Sequence, residues 1–130
     1  MRADEVYYLT VADVYAVAKD VAGTFVVREA GLLASAVARP GTVVFGLEAY
    51  PTLWEKAAAL LHSLTSNHPL VDGNKRLGIA CAAVFLARNG VDIDGLDEEA
   101  AYDLMIDVAR GALDEVPKIA ERLAEALGRR

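Results

Sequence analysis

Nine consecutive residues of this sequence, His68-Pro69-Leu70-Val71-Asp72-Gly73-Asn74-Lys75-Arg76, carry an unusual set of chemical groups. His68 is the side chain among them that exchanges a proton near neutral pH. Asp72 offers hard oxygen ligands of the kind Mg2+ takes. Gly73 and Asn74 are turn formers that launch a helix, and Lys75 and Arg76 then fall in its first turn. A cation at the positive end of a helix dipole costs about 0.3–1 kcal/mol, so stability alone would place Asp or Glu there. Bare N–H groups, a glycine and two cations instead make a cradle for a polyanion. A base, a metal ligand, an anion cradle and two cations are the parts that phosphoryl or nucleotidyl transfer needs. Each part alone has a plainer reading: a solvated loop histidine, an ordinary Asp-Gly-Asn turn, a surface Lys-Arg pair.

The elements that must hold these groups read as helices. Pro69 forces His68 out of the helical region and ends the preceding helix. That helix is expected over about Leu53 to Ser66, opened by a Thr52-Leu53-Trp54-Glu55 capping box. Its core positions are Trp54, Ala57, Leu60, Leu61 and Leu64. The helix after the motif is expected from Asn74 to Arg88, stopped by Asn89-Gly90. Its body, Ile79 to Ala87, is apolar all round, which predicts the buried central helix. Upstream, helices are expected near Val11 to Val21 and Glu29 to Ala38. The first opens on a Thr10-to-Asp13 capping box and turns Val11, Val14, Tyr15, Ala18 and Val21 to one face; the second stops before Pro40. Downstream, helices are expected near Glu98 to Arg110 and Glu115 to Leu127, with Asp97 and Asp114 as N-caps. Pro40 to Gly46 has breakers at both ends and a β-branched, aromatic centre. It reads as a loop or short flap. The sequence is therefore expected to form one all-α domain over residues 1–130, of about six helices with a short flap.

Composition narrows the function classes. The chain of 130 residues is 55% hydrophobic, with a net charge of −6. A general nucleic-acid binder more often presents a basic face, so no direct nucleic-acid partner is expected. No basic stretch followed by about 7–15 apolar residues opens the chain as a signal peptide would. Ile79 to Ala87 is too short for a membrane span, which needs about 20 residues. The single Cys81 permits no internal disulfide and reads as a buried, inert thiol. Together these predict a cytoplasmic protein without a membrane partner.

The nine-residue segment resembles the Fic motif, H-P-F-x-[DE]-G-N-x-R. It is closest to the Doc (death-on-curing) branch of the Fic/Doc family, in which Lys replaces the Gly before the Arg. The flanks Gly31-Leu32-Leu33, Ala38-Arg39-Pro40, Tyr50-Pro51-Thr52-Leu53, Lys56 to Ser63 and Phe85 to Gly90 are similar too. The likeness runs from about Glu5 to Leu127, strongest between Ala30 and Gly95. It implies an all-α Fic fold and a toxin of a toxin–antitoxin pair. Such a toxin is a kinase that moves the γ-phosphate of ATP to a threonine of elongation factor Tu and stops translation. By position, His68 would be the general base and Asp72 would hold Mg2+. Gly73, Asn74, Lys75 and Arg76 would bind the phosphates. Val43, Val44 and Phe45 would form a flap that docks the target's backbone by β-augmentation, with a plain hydrophobic plug as the other reading. The implied partner is a Phd-like antitoxin.

Three departures bear on the reaction. Leu70 replaces the motif's Phe, an exchange of apolar anchors. Ile79 stands where adenylylating members carry a second Arg, and Lys75 replaces Gly, so a long cation fills space beside the backbone. Both weaken an adenylyltransferase reading and favour a reversed nucleotide that offers its γ-phosphate. No Ser or Thr is followed four residues later by Glu, so the [ST]-x-x-x-E-[GN] segment of self-inhibited members is not found. An adenylyltransferase, a degenerate Fic binding module without catalysis and, more weakly, a nuclease toxin are the competing functions. His62, inside the third expected helix, reads as core edge or solvated surface. Tyr7, Tyr8 and Trp54 read as core aromatics.

Overall fold

The computed structural model describes residues 5–67, 70 and 73–129. Six helices and a short hairpin lie along them. α1 is Val11–Ala22 and α2 is Ala30–Ala38, which runs directly into a 3₁₀ turn at Arg39–Gly41. The antiparallel pair β1 (Val43–Val44) and β2 (Leu47–Glu48) follows. Then come α3 (Leu53–Asn67), α4 (Asn74–Arg88), α5 (Glu98–Ala109) and α6 (Val116–Ala126). The all-α architecture expected from the sequence is the one formed.

Local chemistry explains most boundaries. At α1 the Thr10 hydroxyl accepts from the Asp13 N–H at 3.1 Å, and the Thr10 N–H donates to Asp13 Oδ2 at 2.9 Å, a complete capping box. At α3 the Thr52 hydroxyl accepts from the Glu55 N–H, but it donates its own proton to Glu55 Oε1 at 2.9 Å, so the second half of the box closes through the hydroxyl. Asp97 caps α5 by accepting from the Glu99 and Ala100 N–H groups. The expected cap of α6 is corrected: Glu115 occupies the N-cap without a side-chain bond, and Pro117 lies in the first turn. Asp114 is drawn instead to His62, whose Nε2 lies 2.7 Å from its carboxylate. α4 ends as expected, with the Asn89, Gly90 and Val91 N–H groups returning to the carbonyls of Phe85, Ala87 and Leu86.

Packing revises two expectations. α3, not α4, is the enclosed helix at the centre, touching α2, the 3₁₀ turn, α4, α5 and α6. Lys56 to Leu61 and Ser63 to Thr65 are all buried, because the small Ala57-Ala58-Ala59 run lets neighbours approach from several sides. α4 packs on α3, α1 and α5 but leaves Ala80, Ala83 and Val84 half-buried. In α1, Tyr15 turns outward and stacks on Phe25 at 5.7 Å, while Val17 takes a core position. Trp54, Tyr7 and Tyr8 are half-buried at the core's edge.

α3 and α4 meet tightly at Gly78. A Cβ there would collide with Thr65 Oγ1 and lie 3.2 Å from the Leu61 carbonyl oxygen. Glycine is what lets the helix bearing the two cations seat against the central one.

Pro40 to Gly46 opens the hairpin. Its turn residues Phe45 and Gly46 both have positive φ, 50° and 77°, the geometry that matches strand twist in a two-residue connection. Val43, Val44, Phe45 and Leu47 all stand in solvent, so they do not plug the core. The hairpin is held from below by Lys56. This buried α3 side chain donates to Glu48 Oε1 at 3.0 Å and to the Tyr50 carbonyl. Among the described residues no helix is long and apolar enough to cross a membrane.

Candidate active site

The connection between α3 and α4 is pinned at its middle. Leu70 is buried and pairs its backbone with Val27 in a single antiparallel bridge. The Asn74 side chain reaches back to the same residue: its Nδ2 donates to the Leu70 carbonyl, and its Oδ1 accepts from the Leu70 N–H, both at 2.9 Å. Asn74 is buried, so these two bonds satisfy an amide that would otherwise be costly to enclose. At the end of α3, Arg28 Nη2 donates to the Asn67 carbonyl at 3.1 Å.

Gly73 is the N-cap of α4 and adopts φ 88°, a left-handed conformation that penalises other residues. The first main-chain bond of α4 runs from the Leu77 N–H to the Gly73 carbonyl at 2.9 Å. The N–H groups of Asn74, Lys75 and Arg76 therefore emerge at the positive end of the helix. Among the described residues no side chain caps this end, and no acidic residue stands in its first turn. Lys75 and Arg76 are exposed. Neither forms an ion pair among the described residues, whereas Lys56, Arg88, Arg110, Lys118 and Arg122 all pair with carboxylates.

These residues open onto a cleft of about 510 Å³, lined by Gly73, Lys75 and Arg76 on one side and by Tyr102, Met105 and Ile106 of α5 on the other. Among the described residues no carboxylate lines it. The arrangement joins fixed N–H dipoles, two exposed cations and an apolar wall, which suits a ligand with an anionic end and a flat apolar end. Ile79 is half-buried against the core, so no cation stands at that position of α4.

Of the sequence-predicted site residues, the structure brings Gly73, Lys75 and Arg76 to the cleft and turns the Asn74 side chain inward onto Leu70. His68 and Asp72 lie outside the described residues. Val43, Val44 and Phe45 form the exposed hairpin, apart from the lining of the cleft. Among the described residues no group of three or more His, Cys, Asp or Glu side chains could hold a metal.

Sequence reasoning missed Tyr102, Met105 and Ile106. Their i, i+3, i+4 spacing on α5 looks like any helix face turned to a core, and only the open cleft distinguishes it. It also left the network around His62 unread. Arg39 Nη1 donates to His62 Nδ1 at 2.8 Å and to Ser63 Oγ at 3.0 Å, and Arg39 Nε donates to the Tyr50 hydroxyl. Guanidinium only donates, so Nδ1 is the acceptor and Nε2 carries the proton toward Asp114. Both ring nitrogens are engaged in structure.

Two comparisons with known proteins bear on the chain's family. The sequence model of the Fic/DOC family matches residues 5–86, which span α1 through most of α4. A protein named Toxin Doc from Mycolicibacterium smegmatis is 52% identical over 103 residues, covering 78% of each chain. The match to the family takes in the pinned connection, the glycine-led start of α4 and the hairpin together, and the chain belongs to the Fic/DOC family.

Proposed function

We propose that this protein is the toxin of a toxin–antitoxin pair and transfers the γ-phosphate of ATP to a threonine hydroxyl of elongation factor Tu. The reading rests on one observation above others: Lys75 and Arg76 stand exposed at the positive end of α4, without an ion pair among the described residues, on the rim of a cleft. That end of the helix carries a local electrostatic cost which a bound phosphate chain reverses. The named relative, Toxin Doc, supports the toxin role; the partner in this reading is an antitoxin of the Phd kind. Two features of the sequence favour phosphate over AMP as the group moved: Lys75 stands where the Fic motif of adenylylating members has Gly, and Ile79 supplies no second cation.

In this scheme His68 takes the proton of the target hydroxyl. The freed oxygen attacks the γ-phosphorus as the bond to the β,γ-bridging oxygen breaks, and ADP leaves with that oxygen. Lys75 and Arg76 hold the phosphate chain and neutralise charge that develops on the leaving side. Gly73 and Asn74 contribute through the main chain, since the Asn74 amide is already engaged by Leu70. One carboxylate, Asp72, with the nucleotide's own phosphate oxygens is the donor set that Mg2+ takes. Mg2+, when bound, neutralises phosphate charge. The hairpin Val43-Val44-Phe45 presents unsatisfied strand edges to the target's main chain.

The test is to incubate the protein and a His68→Ala variant with elongation factor Tu, Mg2+ and ATP, then weigh the factor intact. A gain of about 80 Da that disappears in the variant supports the kinase with His68 as base. A gain of about 329 Da moves the chain to the adenylyltransferases. An unchanged mass sinks this target assignment. Addition of a co-encoded antitoxin should quench the reaction; full activity in a 1:1 complex would refute that partner's inhibitory role.

A further inference from the structure

The hairpin cannot orient itself. β1 and β2 are two residues each, and Val43, Val44, Leu47 and Glu48 all stand exposed. A two-stranded ribbon without a packed face is marginal in water, so its direction is set where its legs join the body. One residue reaches both legs. The Arg39 carbonyl accepts from the Thr42 N–H at 3.0 Å and from the Thr42 hydroxyl at 2.7 Å, just before β1. The Arg39 guanidinium donates from Nε to the Tyr50 hydroxyl at 2.9 Å and lies 5.4 Å from the centre of the Tyr50 ring, just after β2. Its other bonds run to α3, where Nη1 donates to the Ala59 carbonyl, to Ser63 Oγ and to His62 Nδ1. His62 is fixed from its far side by Asp114, on the α5–α6 connection. Every one of these acceptors of Arg39 is uncharged, so the rigid fork of the guanidinium serves geometry and not ion pairing.

Resting on the reading of the hairpin as the dock for the target's main chain, we infer that Arg39 is a positioning residue for the protein substrate. It ties the two legs of the hairpin to α3 and so fixes the direction in which the strand edges face. Lys56 holds the β2 leg alone; Arg39 joins that leg to the β1 leg. A hairpin free to swing presents its edge to the target in only a fraction of the molecules. The apparent affinity for the target falls by that fraction, while the step that follows docking is unchanged. Loss of the tie between Arg39 and Tyr50 therefore raises KM for the protein substrate and leaves kcat and nucleotide binding as they were.

Two variants of the full chain test this. Tyr50→Phe removes the hydroxyl and keeps the ring; Arg39→Lys keeps the charge and loses the fork. Each is assayed with elongation factor Tu at varied concentration, by calorimetry with ATP and Mg2+, and by hydrogen exchange of the Ala49 N–H, which bonds the Thr42 carbonyl across the legs. A thermal melt checks that both variants fold. Both should raise KM for the factor about tenfold, with kcat and ATP affinity unchanged, and should quicken exchange at Ala49 about tenfold. An Arg39 that only stabilised the fold would lower kcat through loss of active protein and leave KM as in the native chain. That pattern overturns the proposal, as does Ala49 exchange that stays at the native rate in both variants. Faster exchange with an unchanged KM also refutes it, since the hairpin then docks without being held. If the native chain leaves elongation factor Tu unmodified, the reading of the target fails, and the exchange result by itself decides whether Arg39 holds the hairpin.

Discussion

Single residues in this chain do unlike work with similar chemistry. Lys56 and Lys75 are both lysines on helices, yet one is buried against Glu48 and the other waits in solvent at a helix start. The difference lies in what surrounds each ammonium: a carboxylate and a carbonyl for the first, bare N–H dipoles for the second. Cys81 illustrates the same dependence. Burial pushes its thiol up to about 12, with the negative charge of Asp13 adding to the effect. The thiolate is the reactive form, so the native protein should not react with a disulfide reagent at pH 8. One thiol should appear after denaturation. Rapid modification of the folded chain would contradict the enclosed position of this residue.

At the scale of elements, two contacts decide where the functional pieces sit. The α3–α4 contact is closed by Gly78, and Thr65 Oγ1 facing it has no hydrogen-bond partner among the described residues. Gly78→Ala should push α4 away from α3 and cost about 1–3 kcal/mol, because overpacking a tight contact forces backbone movement. Adding Thr65→Ala should recover part of that loss, since it removes the atom in collision and an unsatisfied hydroxyl at once. Urea melts of both variants would show it; additive losses would mean that the two residues do not press on each other. The second contact is Lys56 with the hairpin. Lys56→Met keeps the volume but drops both bonds to the β2 end of the hairpin. Hydrogen exchange of the Ala49 N–H, bonded to the Thr42 carbonyl at 2.9 Å, should then quicken by roughly tenfold, the effect of losing about 1.4 kcal/mol of local stability. Unchanged exchange there would mean the hairpin is held by something else.

The whole molecule is tied together by a polar clamp between its N-terminal segment, α1 and the end of α4. The Tyr7 N–H donates to Asn89 Oδ1, and Arg88 reaches both the Tyr7 hydroxyl and Asp13 Oδ1 at 3.0 Å. The Thr10 backbone N–H, helped by Arg88 and by the Thr10 and Tyr7 hydroxyls, holds the Asp13 carboxyl at about 2, well below its ordinary 3.8. Asp13 in turn holds the Arg88 guanidinium above its ordinary value. Because the folded carboxyl titrates below the unfolded one, its contribution is complete above 3.8 and is lost as pH falls through about 2. Allowing for its partial solvation, that contribution is roughly 1–2 kcal/mol at neutral pH. Asp13→Asn should lower the melting temperature at pH 7 and flatten the drop between pH 4 and 2. An acid limb of unchanged steepness would assign the loss to other carboxylates.

Much of this protein is decided within short stretches of sequence. The helix starts at Thr10, Thr52 and Asp97 follow from one side chain reaching an N–H two or three residues on. The cations of α4 were legible for the same reason, since a helix end and its dipole are set by the residues that form them. What crosses between elements was not legible. Asp114 was expected to cap α6, but His62, 52 positions away in sequence, claims its carboxylate. α4 has the more continuous apolar body, yet α3 is the enclosed helix, because enclosure depends on how many neighbours a helix has and not on its own pattern. Tyr102, Met105 and Ile106 carry the signature of a core face, and only the placement of α5 beside the start of α4 leaves them lining an open cleft. Sequence patterns report which side of a helix is apolar; the tertiary arrangement alone decides whether that side meets another helix or is left open for a ligand.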